Sequence, residues 1–516
     1  MRASILPIGA AAFLAGCAIG PNYSGPSALP PSVQPGAAFV RAPPSVSAED
    51  PALAQWWLAL GDPVLNILEA RALAGNPGLE AARARIEQAR QNVRYERAQQ
   101  LPSGAVQGTY IYADLPGLDL APANPGSNGG APGQPASGGS PAPTDTTISF
   151  FNLGLNANWE IDLWGKQRRI AESANAQLGA AVASAADAQV QLTAEIAQAY
   201  VNVRERQHRL ASLGRGREMR AKQLGLSEQR FRGGTTAAFE VERVRTQLNA
   251  ADTDITSVRA EMESYLGALA ALTGAAPGVI DPLVVVEAAI PLPPAEVAVG
   301  DPFSLIARRP DVRAAERRIA AANAQVGAVQ AARLPTIKFM GILGIGGPNV
   351  DDLLDLGNIS KIAAPQIQWG ALDFGRSLAR LRQARSARDE AEANYRQAVL
   401  SALQDAETSL SRFGYQRQTV AALAQIAASA VRSATLMRQR YDAGAASLSD
   451  ALDAERQALE AERNLAAATA ALTGSFIGVQ KSLGLGWQQP IASVDGETEW
   501  VSTPQHQDRL IAPVPQ

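Results

Sequence analysis

The chain has very few of the residues on which metal and thiol chemistry depends. Its 516 residues include one cysteine, Cys17, and two histidines, His208 and His506. A Cys/His zinc site, a Cys–His nucleophile and a disulfide each need more of these residues than the chain supplies. We therefore expect no metal site, no cofactor and no catalytic pair of nucleophile and base.

Aromatic side chains are few, and neither sign of charge is in clear excess. Aromatic residues make up 5% of the chain, and 46 basic residues stand against 49 acidic ones, for a net charge of −3. Since the two signs are intermixed, the chain lacks the basic surface that nucleic acid needs, and we exclude nucleic acid as a partner. Hydrophobic residues reach 46%, yet few are bulky, which favours thin contacts between helices over a thick core.

A long hydrophobic run is absent as well. The first apolar stretch, Ala3 to Gly16, is shorter than the about 20 residues that span a bilayer, and it has the form of a secretory signal. The uncharged segment 264–280 is broken by Gly274 and Pro277, which mark the end of a helix. Once the signal is removed, any crossing of a membrane is therefore expected to use strands.

The signal ends in Leu14-Ala15-Gly16-Cys17, which resembles the lipobox of bacterial lipoproteins. That motif implies that residues 1–16 are removed as a signal peptide and that Cys17 is acylated; the alternative is a plain signal peptide with an incidental cysteine. Ala18 follows instead of the aspartate of an inner-membrane retention signal, which favours the outer membrane. Residues 17–51 are rich in proline, serine and glycine and are predicted to form an extended, lipidated tether.

The rest of the chain consists of two similar halves. Residues 76–103 match 309–336 at an offset of 233, and residues 158–274 match 368–484 at an offset of 210. The identical pairs include Pro77/Pro310, Arg85/Arg318, Leu101/Leu334, Pro102/Pro335, Trp159/Trp369, Gly165/Gly375 and Gly234/Gly444. The change of offset leaves 23 extra residues between 104 and 157, where a Gly/Pro/Ser-rich run predicts a loop at 113–146.

Each half predicts the same order of elements: an amphipathic helix, two strands, a long helix and a return helix. The first helix, 79–101, has apolar residues three and four apart and ends before Pro102. The long helices carry a heptad seam typical of coiled coils, with Arg206 as an exception. The strands are predicted at about 104–112, 147–159, 337–345 and 359–369, the long helices at 165–231 and 375–441, and the return helices at 237–272 and 447–482.

Four strands suit a membrane in length but cannot close a barrel. Because open strand edges are not tolerated in lipid, several copies of the chain must pool their strands. Two chains give eight strands and three give twelve, and the residues alone leave both numbers open. The alternative is a soluble, elongated coiled coil, but isolated strand pairs are unstable in water and argue against it.

In the order of their elements and in their motifs, the two halves resemble the TolC-like outer membrane efflux proteins. The lipobox places the resemblance in their lipoprotein branch, the NodT type of resistance-nodulation-division efflux systems. The resemblance covers about residues 52–486. The motifs that carry it are Trp56-Trp57 with Asp62-Pro63, Arg85-Ile86 with Leu101-Pro102, Asp162-Leu163-Trp164-Gly165, Leu372-Asp373-Phe374-Gly375, and Arg440-Tyr441-Asp442-Ala443-Gly444 with Asp450-Ala451-Leu452-Asp453.

The resemblance implies an α+β membrane protein with an internal duplication. Three copies, each with four strands, form a 12-stranded β-barrel in the outer membrane. A long α-helical coiled-coil barrel with an equatorial mixed region continues it into the periplasm. The implied parts of the chain are the efflux repeats 52–274 and 304–486, an equatorial linker at 275–303 and a C-terminal tail at 487–516.

The resemblance also implies a function, that of a gated duct exporting small molecules in a tripartite efflux pump. The implied partners are two further copies in a homotrimer, outer membrane lipid, a periplasmic adaptor (membrane fusion) protein and an inner-membrane resistance-nodulation-division transporter. One alternative is the outer membrane channel of a type I protein secretion system, against which the lipobox argues. Another is a periplasmic hydrolase on a helical scaffold, against which the missing nucleophile–base pair argues. We expect a transport protein that is not an enzyme.

The turns between the long helices and the return helices form the implied periplasmic end of the duct. Gly233, Gly234 and Thr235 in the first half, and Gly444 and Ala445 in the second, look like the tips by which the family docks its adaptor. The glycines also suit the left-handed residue that ends many helices. Both interpretations hold together.

Acidic residues next to these tips imply a periplasmic gate. Asp450 and Asp453 share a helix face, and threefold symmetry gathers six such carboxylates, whose repulsion raises their pKa and whose field attracts cations. The resemblance implies that Tyr441 hydrogen-bonds to Glu240 of the neighbouring helix pair and helps to hold the gate shut. At Ala446, where some relatives carry an arginine, a closing salt link is expected to be missing. The alternative is that these charges are merely solvated.

Overall fold

The computed structural model describes residues 18–26, 36–116 and 145–488, together with two short strands at 491–492 and 498–499. Cys17 lies outside the described residues, as do His506 and most of the predicted loop 113–146. The acylation of Cys17 therefore stays a prediction.

Helices dominate the described chain. They are α1 (Pro63–Gly75), α2 (Pro77–Ala98), α3 (Lys166–Arg232), α4 (Ala238–Leu272), α5 (Asp281–Val284), α6 (Pro302–Arg308), α7 (Pro310–Ala331), α8 (Arg376–Asp442) and α9 (Leu448–Ser482). The strands are β1 (Val46–Ser47), β2 (Ser103–Pro116), β3 (Asp145–Ile161), β4 (Val297–Ala298), β5 (Thr336–Gly347), β6 (Ile359–Gln368), β7 (Ile491–Ala492) and β8 (Thr498–Glu499). The long elements begin and end within a few residues of their predicted positions.

The chain divides into two compact units. Unit 1 comprises residues 1–23, 91–175 and 321–388, and unit 2 comprises residues 24–90, 176–320 and 389–516. Unit 1 contains the main sheet and the helical segments that adjoin it, while unit 2 contains the helical hairpins and the short elements. Each half of the duplication contributes to both units.

The main sheet of unit 1 is antiparallel, with the strand order β2-β3-β5-β6. β2 and β6 are its outer strands, and among the described residues each has one edge without a partner strand. Their side chains are largely exposed, as at Val106 (76%) and Ile367 (72%). Such an edge presents free backbone donors and acceptors to a further strand.

The duplication extends to the hydrogen bonds of the two strand hairpins. Ser103 opposes Asn158 in one hairpin and Thr336 opposes Gln368 in the other, which are the same positions under the offsets of 233 and 210. In both pairs the hydroxyl donates to the opposite carbonyl oxygen, at 3.1 Å from Ser103 Oγ and at 3.3 Å from Thr336 Oγ1. The two hairpins therefore share one register.

A matched pair of tryptophans joins each hairpin to the helix before it. Trp159 Nε1 donates to the carbonyl oxygen of Gln100 at 3.0 Å, and Trp369 Nε1 donates to that of Arg333 at 3.2 Å. The acceptors lie just beyond the ends of α2 and α7. Both repeats thus make the same contact at the transition from strand to helix.

Asp62 begins α1 by accepting the backbone N–H of Val64 at 2.9 Å, which satisfies a donor left free at the helix start.

The main hydrophobic core of unit 2 contains the heptad faces of the long helices. The buried members include Trp56, Trp57, Leu65, Leu68, Ile196, Val203, Leu410, Phe413 and Phe476. Side chains from both halves therefore meet in one core.

Two described parts of the N-terminal segment, residues 18–26 and 36–51, contact other elements, whereas composition predicts an extended tether over 17–51. In unit 1, the backbone N–H of Ile19 donates to the carbonyl oxygen of Trp164 at 3.0 Å. Arg169 Nη2 donates to Asn22 Oδ1 at 2.7 Å. Residues just after Cys17 are therefore held at the start of α3.

The later part of the same segment is bound within unit 2. Glu407 accepts the backbone N–H groups of Val40 at 2.8 Å and of Arg41 at 2.7 Å, and β1 pairs in parallel with β4. Composition predicts an extended chain here because the segment has no periodic pattern. Composition does not show that the carboxylate of Glu407, which is distant in sequence, satisfies backbone donors of the segment.

Trp487 belongs to the core of unit 2, whereas the sequence assigned it to the tail 487–516. Its side chain is 3% exposed, and Nε1 donates to the carbonyl oxygen of Gly484 at 2.9 Å. The guanidinium of Arg313 lies 5.6 Å from the ring centre. The structured part of the chain therefore extends beyond the predicted boundary.

One described helix, α8, contains a stretch that is apolar and long enough to span a membrane by length and composition. The sequence had indicated only the segment 264–280 as a candidate membrane span, and not this stretch of α8. Most of this stretch is exposed in the single chain. An alanine-rich face that packs on other helices resembles a membrane helix in composition, so the coiled-coil pattern is the better guide.

Candidate functional site at the hairpin tips

The first tip connects α3 to α4 through a helix end with a left-handed glycine. Gly234, at φ 69°, donates its N–H to Phe231 O at 3.0 Å, and Thr235 donates its N–H to Arg230 O at 2.9 Å. These bonds satisfy carbonyl groups that the helix leaves free. The positive φ is the reason for glycine at this position. Gly233, Gly234 and Thr235 are all exposed.

The second tip, between α8 and α9, repeats this geometry. Gly444, at φ 72°, donates to Tyr441 O at 2.9 Å, and Ala445 donates to Arg440 O at 2.7 Å. Gly444 and Ala445 are exposed. The predicted docking residues therefore form two small, exposed turns of the same shape.

The second tip differs from the first in how its return helix begins. Ser447 Oγ donates to Asp450 Oδ2 at 2.7 Å, and the Ser447 N–H donates to the same oxygen at 3.2 Å. In return, the Asp450 N–H donates to Ser447 Oγ at 3.1 Å, which completes a capping box. Ala237, at the start of α4, offers no such side chain.

This cap acts on the pKa of Asp450 within one chain. The hydrogen bonds from the Ser447 hydroxyl and backbone N–H hold the pKa of Asp450 below its ordinary value in the single chain. The rise expected from repulsion between the carboxylates of three copies stays a prediction.

The other two acidic residues predicted at the gate have arginine neighbours on their own helices. Arg243 Nη2 lies 2.5 Å from Glu240 Oε2, and Arg456 Nε lies 3.8 Å from Asp453 Oδ1. Exposed pairs one turn apart are weak, but they reduce the net negative charge at the tips. The local field is therefore weaker than the carboxylates alone indicate.

Tyr441 lies at the end of α8 beside an arginine. The guanidinium carbon of Arg438 is 5.6 Å from the Tyr441 ring centre, and Arg438 Nη1 is 3.4 Å from Glu455 Oε1. The contact of Tyr441 with Glu240 was predicted between neighbouring helix pairs, and it stays a prediction.

Both hairpins lie in segments that the chain shares with a known family. The family described as outer membrane efflux protein matches residues 68–275 and 302–485. The chain belongs to the outer membrane efflux protein family. The resemblance found in the sequence is therefore confirmed.

Relatives cover nearly the whole efflux protein. Nodulation protein T of Rhizobium leguminosarum bv. trifolii is 27% identical over 482 residues, which are 93% of this chain and 96% of the relative. The solvent efflux pump outer membrane protein SrpC of Pseudomonas putida is 26% identical over 488 residues, 94% of this chain and 99% of the relative. The solved outer-membrane channel OprN has a TM-score of 0.77 at 29% identity, over 91% of this chain and 100% of that chain. The efflux protein is thus an outer membrane protein with a TolC-like fold.

Sequence reasoning missed a buried polar network in unit 2 of the efflux protein. Arg204 is 1% exposed, and its Nε donates to Tyr200 Oη at 2.9 Å. Tyr200 Oη in turn donates to Asp62 Oδ2 at 2.6 Å, and both burial and this acceptor raise the pKa of Tyr200. Arg204 Nη1 also donates to Val286 O at 2.6 Å and to Gln207 Oε1 at 2.9 Å. One side chain therefore connects the start of α1, the middle of α3 and the segment after α5.

Glu69, in α1, is a second residue that the sequence analysis missed. Its side chain is fully buried, and among the described residues neither carboxylate oxygen has a hydrogen-bond partner. Burial raises the pKa of Glu69 well above its ordinary value. Leu65, Leu68 and Ala72 on the same helix are also fully buried. Burial among these apolar side chains therefore disfavours the ionised form of the carboxyl group.

Proposed function

We propose that the efflux protein forms, as a homotrimer, the outer membrane channel of a tripartite efflux pump. The duct exports small molecules, and it works with a periplasmic adaptor protein and an inner-membrane resistance-nodulation-division transporter. The observation that carries the proposal is the four-stranded sheet with both outer edges unpaired. Three such sheets joined edge to edge supply a closed 12-stranded barrel, which removes every open edge from lipid.

The comparisons support an export role. SrpC is named as part of a solvent efflux pump, and OprN is described as an outer-membrane channel. Both align along nearly their whole length with this chain. Because α8 carries an exposed apolar stretch in the single chain, the helical part of the proposed trimer buries it between copies.

Purified protein tests this function directly. We expect light scattering in detergent to give the mass of three chains, and electron microscopy to show a threefold particle with a helical tunnel. We also expect planar bilayers to record discrete conductance steps. A monomeric mass together with the absence of conductance would contradict the proposal. Co-purification with a secretion ATPase would favour type I protein secretion instead.

We assign the gate to Asp450, Asp453, Glu240 and Tyr441, and predict an effect on ion selectivity. The double change Asp450→Asn with Asp453→Asn removes two charges per chain, and we expect it to lower the cation-over-anion permeability ratio by about twofold or more. Block by multivalent cations weakens in parallel. The measurement is the reversal potential across a salt gradient in planar bilayers.

Ser447→Ala is the matched control for the gate variant. It removes the capping hydroxyl at a cost of about 1 kcal/mol of local helix stability, but it leaves both carboxylates in place. Selectivity should therefore stay at the wild-type value. If Ser447→Ala shifts the reversal potential as far as the double variant does, the effect comes from the helix end and not from the charge.

We assign adaptor docking to the tips Gly233–Thr235 and Gly444–Ala445. In Gly234→Val, a β-branched residue takes a positive φ at a cost of about 1–2 kcal/mol, so the turn changes shape and we expect weaker co-purification with the adaptor. Gly233→Ala is the control, since a Cβ there meets other atoms only at 3.5 Å or more. If both variants recover as much adaptor as the wild type does, the first tip is not part of the docking surface.

A further inference from the structure

The join between the two repeats inside one chain provides a template for a join between chains. In unit 1, β3 of the first repeat pairs with β5 of the second, with Ile161 opposite Ile337. Just after β3, Trp164 Nε1 donates to the carbonyl oxygen of Pro335 at 2.7 Å, and the indole is partly buried. The turn that follows one strand thus contacts the turn that precedes the next.

The second repeat has the same parts, but in a single chain they are exposed. Phe374 follows β6 as Trp164 follows β3, and Pro102 precedes β2 as Pro335 precedes β5, under the offsets of 210 and 233. Phe374 is 99% exposed, and Leu101, next to Pro102, is 66% exposed. Both lie at the ends of the strands whose outer edges are unpaired.

The local backbone holds Phe374 in an unusual conformation. Its φ of 51° lies in the left-handed region, which is costly for an aromatic residue. Asp373 fixes the turn by accepting the N–H of Gly375 at 3.0 Å and of Ser377 at 2.7 Å. A fixed turn that exposes a large apolar ring points to a contact outside the chain.

We propose that Phe374 of one chain packs against the Leu101–Pro102 turn of a second copy, as Trp164 packs against Pro335 within a chain. This proposal rests on the proposed function, because it requires copies that assemble edge to edge. An aromatic ring in such a contact buries roughly 150–250 Å². Phenylalanine lacks the indole N–H, so the contact between chains is apolar where the contact within a chain has a hydrogen bond.

The same template gives the strand register between chains. Within a chain, Ala157 pairs with Gly341 across β3 and β5. Moving β3 forward by 210 residues and β5 back by 233 places Ile367 of one copy opposite Gly108 of the next. Both positions fall inside β6 and β2. The template therefore pairs the two outer strands in the antiparallel sense that β3 and β5 have within a chain.

Cysteine cross-linking of the full-length protein in outer membranes tests the contact. A disulfide requires Cα atoms about 4.4–6.8 Å apart, so it reports close approach. We expect Phe374→Cys with Pro102→Cys to give covalent dimers and trimers on oxidation or with a short bismaleimide. Each single variant should run as a monomer on denaturing gels, and Phe374→Cys with Leu101→Cys serves as a second pair should Pro102→Cys disturb the turn.

The register pair separates the failure of this contact from the failure of the assembly. If Ile367→Cys with Gly108→Cys cross-links while both Phe374 pairs do not, the strands join but the proposed Phe374 contact is wrong. If no pair cross-links and the purified protein is monomeric, the proposed function fails together with the contact. We also expect Phe374→Ser to lose its trimer at a lower temperature than the wild type, whereas Leu354→Ser, at a side chain 86% exposed in another loop, should not.

Discussion

Replacing Arg204 with methionine is expected to lower the free energy of unfolding by about 1–3 kcal/mol, because it breaks a buried network and leaves several hydrogen-bond acceptors without their donor. Methionine fills a similar volume but donates no hydrogen bond. The carbonyl oxygen of Val286 and the amide oxygen of Gln207 then lose their donor. Tyr200 loses the guanidinium that donates to its hydroxyl. Denaturant unfolding of purified protein in detergent, followed by circular dichroism, measures the loss.

Arg215→Met is the control for this change on the same helix. The Arg215 side chain is 58% exposed, and its Nη2 lies 3.3 Å from Glu462 Oε2. An exposed pair of this kind contributes less than about 1 kcal/mol. We expect Arg204→Lys to recover little stability, because an ammonium group cannot reproduce the fixed fork of the guanidinium. Equal midpoints for Arg204→Met and Arg215→Met would show that the network does not stabilise the fold.

The repeated elements could be predicted because the sequence contains each of them twice. The match at Trp159 and Trp369 fixed the offset, and the structure shows the same hydrogen bond at both. The heptad pattern identified the buried faces of the long helices, yet it marked Arg206 as the exception. The residue that is fully buried is Arg204, whose partners come from distant parts of the sequence. Periodicity reports which face is apolar, but it does not report which polar side chain finds partners there.

The shape of the two tip turns could be predicted from the sequence, but the contacts around them only in part. The tip glycines followed from local rules for ending a helix, since a left-handed residue needs no tertiary partner. The capping box between Ser447 and Asp450 was not predicted, although the two residues lie three positions apart. The docking of Val40 and Arg41 on Glu407 could not be derived, because it joins residues more than 300 positions apart. The exposure of Phe374, where the matching Trp164 is partly buried, depends on the surroundings of each residue, which a pairwise match of residues does not contain.

Replacing Glu69 with leucine is expected to raise the free energy of unfolding by about 1–3 kcal/mol at neutral pH, since it removes a buried polar group without a partner. Leucine continues the apolar side of α1 that Leu65 and Leu68 already form. Glu263→Leu, at an exposed position of α4, is the control, and we expect it to be nearly neutral. Apparent melting temperatures in detergent, at one scan rate, compare the three proteins.

The pH dependence decides whether the carboxyl group itself causes the effect. Because the folded pKa of Glu69 is raised, both states bind the proton below the unfolded value of about 4.3, and the stability linked to this group is fully present there. As pH rises, the unfolded chain ionises first, and stability falls by about 1.4 kcal/mol per pH unit until the folded carboxyl group also ionises. The gap between Glu69→Leu and the wild type should therefore widen as the pH rises above about 4.3, while Glu69→Gln, which cannot ionise, should show no such slope. A gap that stays constant with pH, or a Glu69→Leu protein that melts below the wild type throughout, would mean that Glu69 has a stabilising partner in the assembled channel.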